Sequence, residues 1–254
     1  MVSILQRSAA SGTLQNIALA ADPVQCLYLC RNMTIAAISE NHIESELRSL
    51  FPGENIQWLV FRDPLAALEW RSAAKTAAPG IALYLDLEFK NEPERLENLG
   101  RLLPALVFVN AVTPTLGEIQ RPLVRINAWP GFATKKVHEL VSPDEATTRR
   151  IAKLYQGLDC SYRLVPDIPG MISPRIVAGI INEAWYTWEA KVSTKEEIDT
   201  AMKLGTNYPL GPFEWGERIG LDRVAGLLRV LSKTDPRYAP ANALQQATHA
   251  LKCD

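Results

Sequence analysis

The chain has 254 residues with 27 basic and 28 acidic side chains, which leaves a net charge of -1, and 47% of its residues are hydrophobic. These proportions are typical of a globular protein with a buried core, and the length suits one large domain or two small ones. The balanced charge argues against nucleic acid as a partner, because such binders neutralise many phosphates. No apolar run approaches the roughly 20 residues of a membrane span, so we expect no membrane partner either.

Two further features bear on cellular location and metal content. The first ten residues lack the basic and apolar regions of a secretory signal, which favours a cytoplasmic protein. The cysteines have neither the spacing of a zinc site nor the density of a disulfide framework, so we predict no metal site. They are Cys26, Cys30, Cys160 and Cys253.

The first two thirds of the chain alternate short apolar runs with helical patterns. Runs of strand length cover residues 2–5, 24–30, 56–61, 81–87, 105–110 and 162–165. Helical patterns cover residues 64–75, 93–103 and 143–157. Apolar strands that alternate with helices predict an α/β fold, a Rossmann-like doubly wound parallel sheet. In such sheets, ligands bind at the carboxyl ends of the strands.

Only helices are predicted beyond residues 166–170, a segment rich in Pro and Gly that indicates a domain boundary. The first helix carries a wide apolar face over residues 176–188, too broad for an ordinary surface helix. That face fits either a core within the helical domain or the interface of a homodimer. We therefore predict a Rossmann-like domain at residues 1–165 and an all-α domain at residues 166–254. Further helices are predicted at residues 194–205, 224–231 and 241–252.

Several motifs of the helical part occur in a fixed order. They are DIPGMI at residues 167–172, INEA at 181–184, EIDTAMKLG at 197–205, YPLGPFE at 208–214 and IGLD at 219–222. In this order and spacing they resemble the C-terminal domain of the 3-hydroxyacyl-CoA dehydrogenases. Residues 108–110 and 125–141 resemble the last strands of the same family's dinucleotide-binding domain.

The resemblance implies a reaction, a cofactor and an assembly. Family members move a hydride between NAD and the 3-hydroxyl carbon of an acyl-CoA, so an acyl-CoA-like substrate and NAD or NADP are implied here. In the family, a His oriented by a Glu takes the hydroxyl proton, which is general-base catalysis, and Ser and Asn side chains position the substrate oxygen. The resemblance also implies a homodimer formed through the helical domain.

The candidate cofactor site departs from the family's glycine-rich phosphate loop. Carried over by position, that loop falls at residues 6–13, which contain a single glycine. Arg31 follows the second predicted strand and could face a 2′-phosphate or lie in a solvated loop. These departures leave the binding of either cofactor open, and the short segment 32–55, with room for little more than one helix, leaves CoA binding open. The cofactor candidates are Ser11, Gly12, Thr13, Arg31 and Asn110.

The catalytic positions depart from the family as well. The residue before Asn127 is not His, and Pro174 replaces the positioning Asn. Thr113 or Thr115 could supply the hydroxyl of the family's Ser. The catalytic candidates are Glu139, Asn127 and Thr113.

Two neighbouring residues near the end of the Rossmann-like domain have separate predicted roles. Glu139 matches the orienting Glu of the family, and without the His we predict that it forms a structural ion pair with Arg125. His138 is adjacent to it, and adjacent strand residues point to opposite faces of a sheet. We therefore predict that His138 is structural.

Two functions remain open on this sequence. The chain is either a working oxidoreductase of this family with an altered cofactor and substrate, or a relative that has lost catalysis and binds a ligand or serves as a scaffold. The second hypothesis is favoured because losses at several positions of one reaction are hard to repair independently. An oxidoreductase with Lys as its base is least favoured, since Lys191 lies far along the chain from Asn182.

Overall fold

The computed structural model describes residues 33–39, 44–53, 55–73, 80–132 and 136–250. Seven strands of this part form a single sheet in the order β2-β1-β3-β4-β5-β6-β7. The strands are β1 Met33–Ile38, β2 Ile56–Phe61, β3 Ile81–Asp86, β4 Val107–Val109, β5 Val124–Ile126, β6 Val137–Val141 and β7 Ser161–Leu164. Neighbouring strands are parallel, except that β5 and β6 pair in antiparallel fashion.

The helices of the described part cover the sheet or follow it. They are α1 Glu44–Leu50, α2 Pro64–Ala73, α3 Pro93–Arg101, α4 Leu116–Ile119, α5 Glu145–Tyr155, α6 Ser173–Glu189, α7 Lys195–Thr206, α8 Pro212–Ile219, α9 Leu221–Ser232 and α10 Asn242–Ala250, with a short 3-10 helix at Pro236–Tyr238. Among them, none is long and apolar enough to cross a lipid bilayer.

The order of the strands makes this a doubly wound sheet. β1 has β2 on one side and β3 on the other, so the chain reverses direction across the sheet at β1 and then continues outward through β4 and β5. Open α/β sheets bind ligands at such a reversal, outside the carboxyl ends of the strands. The predicted Rossmann-like sheet followed by a helical part is confirmed.

The two faces of the sheet bury separate apolar cores, because successive strand residues point to opposite sides. In β1, Ile35 and Ala37 belong to the core beneath α1 and α5, whereas Ala36 and Ile38 belong to the core beneath α2 and α3. All four side chains are fully buried. Burial on both faces explains why the strands of this sheet are almost continuously apolar.

The helical part has its own core, formed by α6, α8, α9 and α10 with Ile198 of α7. Val177 and Ile181 on the apolar face of α6 are buried in it, while Ile176 on the same helix is 57% exposed. The face is thus largely internal and reaches the surface at its edge. Trp129 and Phe132, which follow β5, also pack into this helical core.

The predicted domain boundary falls between the end of β7 and the start of α6. The described residues from Met33 onward form one structural unit, in which the helical core contains residues from both sides of that boundary. The division at residues 165 and 166 therefore remains our proposal.

The prediction for segment 32–55 is wrong, because the structure has strand β1 there in addition to helix α1. The sequence of β1, MTIAAI, is short and contains two alanines, which have a low preference for strands. The predicted strands at 2–5 and 24–30 lie outside the described residues. The other predicted strands are confirmed to within two residues, and they are 56–61, 81–87, 105–110 and 162–165.

Candidate functional site

A cleft of about 520 Å³ opens where the carboxyl ends of β3 and β4 face α9. Its volume is within the usual range of small-molecule sites, and it lies on the edge of the sheet where doubly wound folds bind ligands. The residues that line it include Leu87, Glu88, Lys90, Asn110, Thr113, Glu118 and Trp129 from the sheet side, and Asp222, Arg223 and Gly226 from α9.

Asn110 connects the strand ends beneath the cleft. Its side-chain amide donates to the carbonyl oxygens of Leu87 and Ala128 at 3.3 and 3.4 Å, and its side-chain oxygen accepts from the Ala128 N–H at 3.1 Å. These bonds join the ends of β3 and β5 to β4. Thr113 lies on the same wall, so the structure brings one predicted cofactor residue and one predicted catalytic residue together.

A buried ion pair supports the carboxyl end of β3 beside the cleft. Arg95 of α3 donates to both carboxylate oxygens of Asp86, at 2.8 and 2.6 Å. The backbone N–H of Glu88 donates to the same carboxylate at 3.1 Å. Burial raises the pKa of Asp86, and the hydrogen bonds from Arg95 oppose this shift. The pair fixes the turn that carries Glu88 into the cleft.

Glu88 and Arg223 meet across the cleft. Nη2 of Arg223 lies 3.5 Å from Oε2 of Glu88. The hydroxyl of Ser39, directly after β1, donates to Oε1 of Glu88 at 3.5 Å. Neither of these charged residues was predicted from the sequence. Glu88 had a usable signal, because it directly follows a predicted strand, whereas only the packing of α9 places Arg223 opposite it.

Asn127 directly follows β5 and lies beside Glu139 of β6, and neither residue is among those that line the cleft. The backbone N–H of Asn127 donates to the carbonyl oxygen of Glu139 at 3.2 Å. The Glu139 carboxylate accepts from the backbone N–H groups of Ile172 and Ser173, both at 3.0 Å, and from the Ser173 hydroxyl. Glu139 therefore stabilises the amino terminus of α6.

The predicted ion pair between Glu139 and Arg125 is wrong. Arg125 is fully buried and pairs instead with Asp167, at 2.5 Å. Across β5 and β6, Arg125 stands opposite Val141 rather than Glu139, and its side chain extends toward the segment that follows β4. Its other N–H groups donate to the backbone carbonyl oxygens of Ala111, Val112 and Ile168.

The histidines of the described part lie away from the cleft. His138 is buried beside Phe51, and its Nδ1 lies 2.7 Å from the Tyr155 hydroxyl oxygen. Burial lowers the pKa of His138 to about 4. His249 belongs to α10, so the described lining of the cleft contains no histidine.

The sequence directly after β1, where the sheet reverses, differs from a dinucleotide loop, and the segment 6–13, to which the resemblance assigned that loop, lies outside the described residues. No glycine occurs from residue 39 to residue 52, directly after β1, whereas close approach of backbone to a pyrophosphate requires glycines at this turn. The residues there do not fit the family's way of holding NAD or NADP. No cluster suited to a metal ion occurs among the described residues. The cofactor candidates Ser11, Gly12, Thr13 and Arg31 lie outside the described residues.

The fold and the site thus define the class of protein. It has a doubly wound sheet, an all-α part and a cleft lined by residues of both. Residues 170–253 match the family model of the 3-hydroxyacyl-CoA dehydrogenase C-terminal domain. This match confirms, for the helical part of the chain, the resemblance predicted from the sequence.

Curated relatives point the same way. The chain is 38% identical over 131 residues to the 3-hydroxyadipyl-CoA dehydrogenase of Escherichia coli, covering 51% of this chain and 27% of that protein. It is 35% identical over 112 residues to a 3-hydroxybutyryl-CoA dehydrogenase of Bradyrhizobium diazoefficiens, covering 43% and 38%. The matched part thus spans well under half the length of either relative.

Solved structures share the fold over most of the described chain. The crystal structure of an (S)-3-hydroxybutyryl-CoA dehydrogenase from Ralstonia eutropha superposes with a TM-score of 0.64 at 18% identity, covering 85% of this chain and 93% of that one. A 3-hydroxybutyryl-CoA dehydrogenase from Escherichia coli gives a TM-score of 0.62 at 17% identity, covering 87% and 57%.

Proposed function

We propose that this 3-hydroxyacyl-CoA dehydrogenase-like protein binds a small acyl-CoA-type ligand in the cleft and does not carry out the family's hydride transfer. The relatives support a dehydrogenase-like function in general. The observation that carries the narrower proposal is the chemistry of the cleft lining, whose described residues include no histidine to act as the general base.

The hydrogen bonds of Glu139 support the same proposal. An orienting carboxylate must be available to the base, but this one accepts three hydrogen bonds at the start of α6. Pro174, where the resemblance expects a positioning Asn, lies in the first turn of the same helix and has no polar side-chain group. Both residues therefore have roles in starting a helix.

A nicotinamide cofactor would supply or accept the hydride when bound. The absence of glycine after β1 argues against the family's mode of holding it. We therefore propose a ligand-binding function that needs neither NAD nor NADP.

The alternative is a working oxidoreductase with a changed cofactor and substrate. The cleft itself favours it, because its position matches the ligand sites of doubly wound enzymes and Asn110 and Thr113 lie on its wall. The dehydrogenase names of the relatives favour it too. It requires a base other than histidine in the cleft.

One pair of measurements distinguishes the two functions. Acetoacetyl-CoA should change the fluorescence of Trp129, which lines the cleft, in a saturable titration. The same protein with NADH or NADPH and acetoacetyl-CoA should give no loss of absorbance at 340 nm beyond the blank. Turnover that depends on protein, reduced cofactor and thioester together would overturn the proposal in favour of the oxidoreductase.

A matched pair of glycine variants ties the fluorescence signal to the cleft. Gly226 lines the cleft and Gly205 lies on α7, and a Cβ atom added at either meets nothing within 4 Å. We expect Gly226→Phe to fill the cleft and abolish the titration, while Gly205→Phe leaves it intact. Equal behaviour of the two variants would place the ligand elsewhere.

The assembly and the location belong to the same proposal. We propose a cytoplasmic homodimer formed through the helical part, where Ile172 and Ile176 at the start of α6 are exposed apolar residues. Light scattering at micromolar concentration should give twice the mass of the chain. The mass of a single chain would remove the dimer from the proposal.

A further inference from the structure

A weak ion pair joins the two walls of the cleft. Arg223 lies in the first turn of α9, and Glu88 lies in the turn that follows β3. Their closest atoms are 3.5 Å apart, and their side chains are 36% and 24% exposed. Ion pairs that are this long and this open to water contribute little to stability. A ligand can therefore separate them at low cost.

The other arginines near the cleft are fully engaged. Arg95 holds Asp86 with two short hydrogen bonds. Arg125 holds Asp167 and three backbone carbonyl groups from a fully buried position. Arg223, by contrast, has its described ionic contact with Glu88 alone, on the surface of the cleft. Of these three arginines, Arg223 is the one that a ligand can reach.

The charges around the cleft make anion binding depend on whether Glu88 is in contact with Arg223. The described lining has two cations, Lys90 and Arg223, and three carboxylates, Glu88, Glu118 and Asp222. While Glu88 is in contact with Arg223, an anionic ligand that enters the cleft meets an excess of negative charge. If Glu88 withdraws from Arg223, a guanidinium becomes available, and its planar fork matches a carboxylate or a phosphate equally well.

We propose that Arg223 is the anion-binding residue of the cleft and that Glu88 takes the place of the ligand's anionic group in the free protein. The ligand class is therefore a small molecule with a carboxylate or phosphate. Ser39, whose hydroxyl already donates to the other oxygen of Glu88, gives the displaced carboxylate a partner. This inference rests on the proposed function, because it assigns a residue to the same cleft.

The test uses titrations of the full chain with two probes, pyrophosphate for the phosphate source and acetoacetate for the carboxylate source, with neutral pantetheine as a comparison. Glu88→Gln should tighten the binding of one anionic probe by about fivefold or more, since it removes the competing charge-assisted contact. The same change should leave pantetheine unaffected. Arg223→Gln should weaken that anionic probe by about tenfold or more, and Arg223→Lys should retain part of its affinity.

Glu118→Gln is the matched control, because it removes a carboxylate from the same lining and leaves the ion pair of Arg223 with Glu88 unchanged. Gln can also keep the capping box that Glu118 forms with Thr115. We expect it to change anion affinity less than twofold. Equal gains from Glu88→Gln and Glu118→Gln would overturn the proposal in favour of a general charge effect.

Failure of both anionic probes to bind the Glu88→Gln variant would also overturn the inference. The outcomes remain distinct from those of the proposed function. Turnover of NADH would contradict the proposed function and leave the assignment of Arg223 intact. Binding of acetoacetyl-CoA that is unchanged in Arg223→Gln would contradict the assignment and leave the proposed function intact.

Discussion

Single residues decide how the loop that follows β4 is held against the rest of the molecule. Arg125 is the central one, because its guanidinium joins the segment after β4 to the segment after β7 through Asp167. Asp167 in turn accepts from the backbone N–H of Leu116, at the first residue of α4. The wall of the cleft that carries Thr113 therefore depends on one buried charge.

Replacing Arg125 by Met should destabilise the protein by about 3–5 kcal/mol, because removing one partner of a buried pair leaves the others unsatisfied. Asp167→Asn should cost less, since the amide oxygen of Asn can still accept from Arg125 and the guanidinium keeps its bonds to the carbonyl oxygens of Ala111, Val112 and Ile168. Urea denaturation measures both values. A loss below about 1 kcal/mol for Arg125→Met would contradict the central role of this residue.

His138 should make stability depend on pH. Its pKa is lowered to about 4 in the folded protein from an ordinary 6.5, so the unfolded chain takes up a proton between these values while the folded one does not. The contribution of uncharged His138 to the free energy of unfolding is complete above pH 6.5. As the pH falls toward 4, the free energy of unfolding decreases by up to about 3 kcal/mol.

Denaturant midpoints measured from pH 7 to pH 4.5 check this prediction. In the control variant, His138→Phe, the side chain still packs beside Phe51 but cannot take up a proton. We expect this variant to lose most of the slope. The same slope in both proteins would show that other groups cause it.

At the scale of elements, the start of α8 is fixed from a neighbouring helix. The Asp199 carboxylate of α7 accepts from the backbone N–H groups of Phe213 and Glu214 at 2.8 and 3.1 Å. Gly211 lies against this side chain, and a Cβ atom there would overlap it. The glycine of the YPLGPFE motif is thus required by a close approach between two helices.

Gly211→Ala should therefore destabilise the protein by about 1–3 kcal/mol through overpacking at this contact. Gly205→Ala provides the opposite case, because Gly205 lies inside α7 with open space around it. There, alanine should stabilise by roughly 0.5–1 kcal/mol. Thermal unfolding of the two variants measures both, and shifts in the same direction would contradict the packing argument.

Glu139 provides a second element-scale test. Glu139→Ala should cost about 1–2 kcal/mol, because α6 loses the acceptor for two N–H groups at its amino terminus. Ligand titrations should be unchanged, since Glu139 does not line the cleft. Loss of acetoacetyl-CoA binding at unchanged thermal stability would instead favour a direct role at the site.

Most of these elements could be predicted from the sequence, and the exceptions have physical causes. The apolar runs of β2, β3 and β4 were recognisable because strands buried on both faces are almost continuously apolar. The start of α7 was recognisable from a local side chain, Thr194, which accepts from a backbone N–H group. The start of α5 was recognisable only approximately, because its cap is Asp144 and not Ser142. β1 was missed because its alanines lack a strand signal of their own.

The candidate site was less predictable, because its partners are distant in sequence. Asn110 and Thr113 were found through resemblance, and both lie on the cleft. The acidic partner of Arg125 and the backbone partners of Glu139 were not predictable, because they lie 42 residues and 33 to 34 residues away along the chain. Glu139 occupies the position of the family's orienting Glu, but its carboxylate accepts from backbone N–H groups at the start of α6. Only the structure shows these contacts.

At the scale of the whole molecule, the sheet and the helical part share more than a covalent connection. Trp129 and Phe132 leave the sheet after β5 and enter the helical core, and Val112 after β4 does the same. The Arg125–Asp167 pair fixes the segment between the two parts. The cleft thus has one wall from the sheet and one from the helical part. The contacts between the two parts fix the position of each wall.

The insertion of Trp129 and Phe132 has a consequence for how the chain folds and for how it can be divided. A fragment that ends at residue 165 would present two large aromatic side chains to water, and a fragment that begins there would have a hole in its centre. We therefore expect calorimetry of the whole protein to record one cooperative transition, and separately produced halves to aggregate unless they are mixed during refolding. Two resolved transitions would mean that the aromatic insertion adds little. We therefore expect a chain cut at the apparent boundary to yield no stable half.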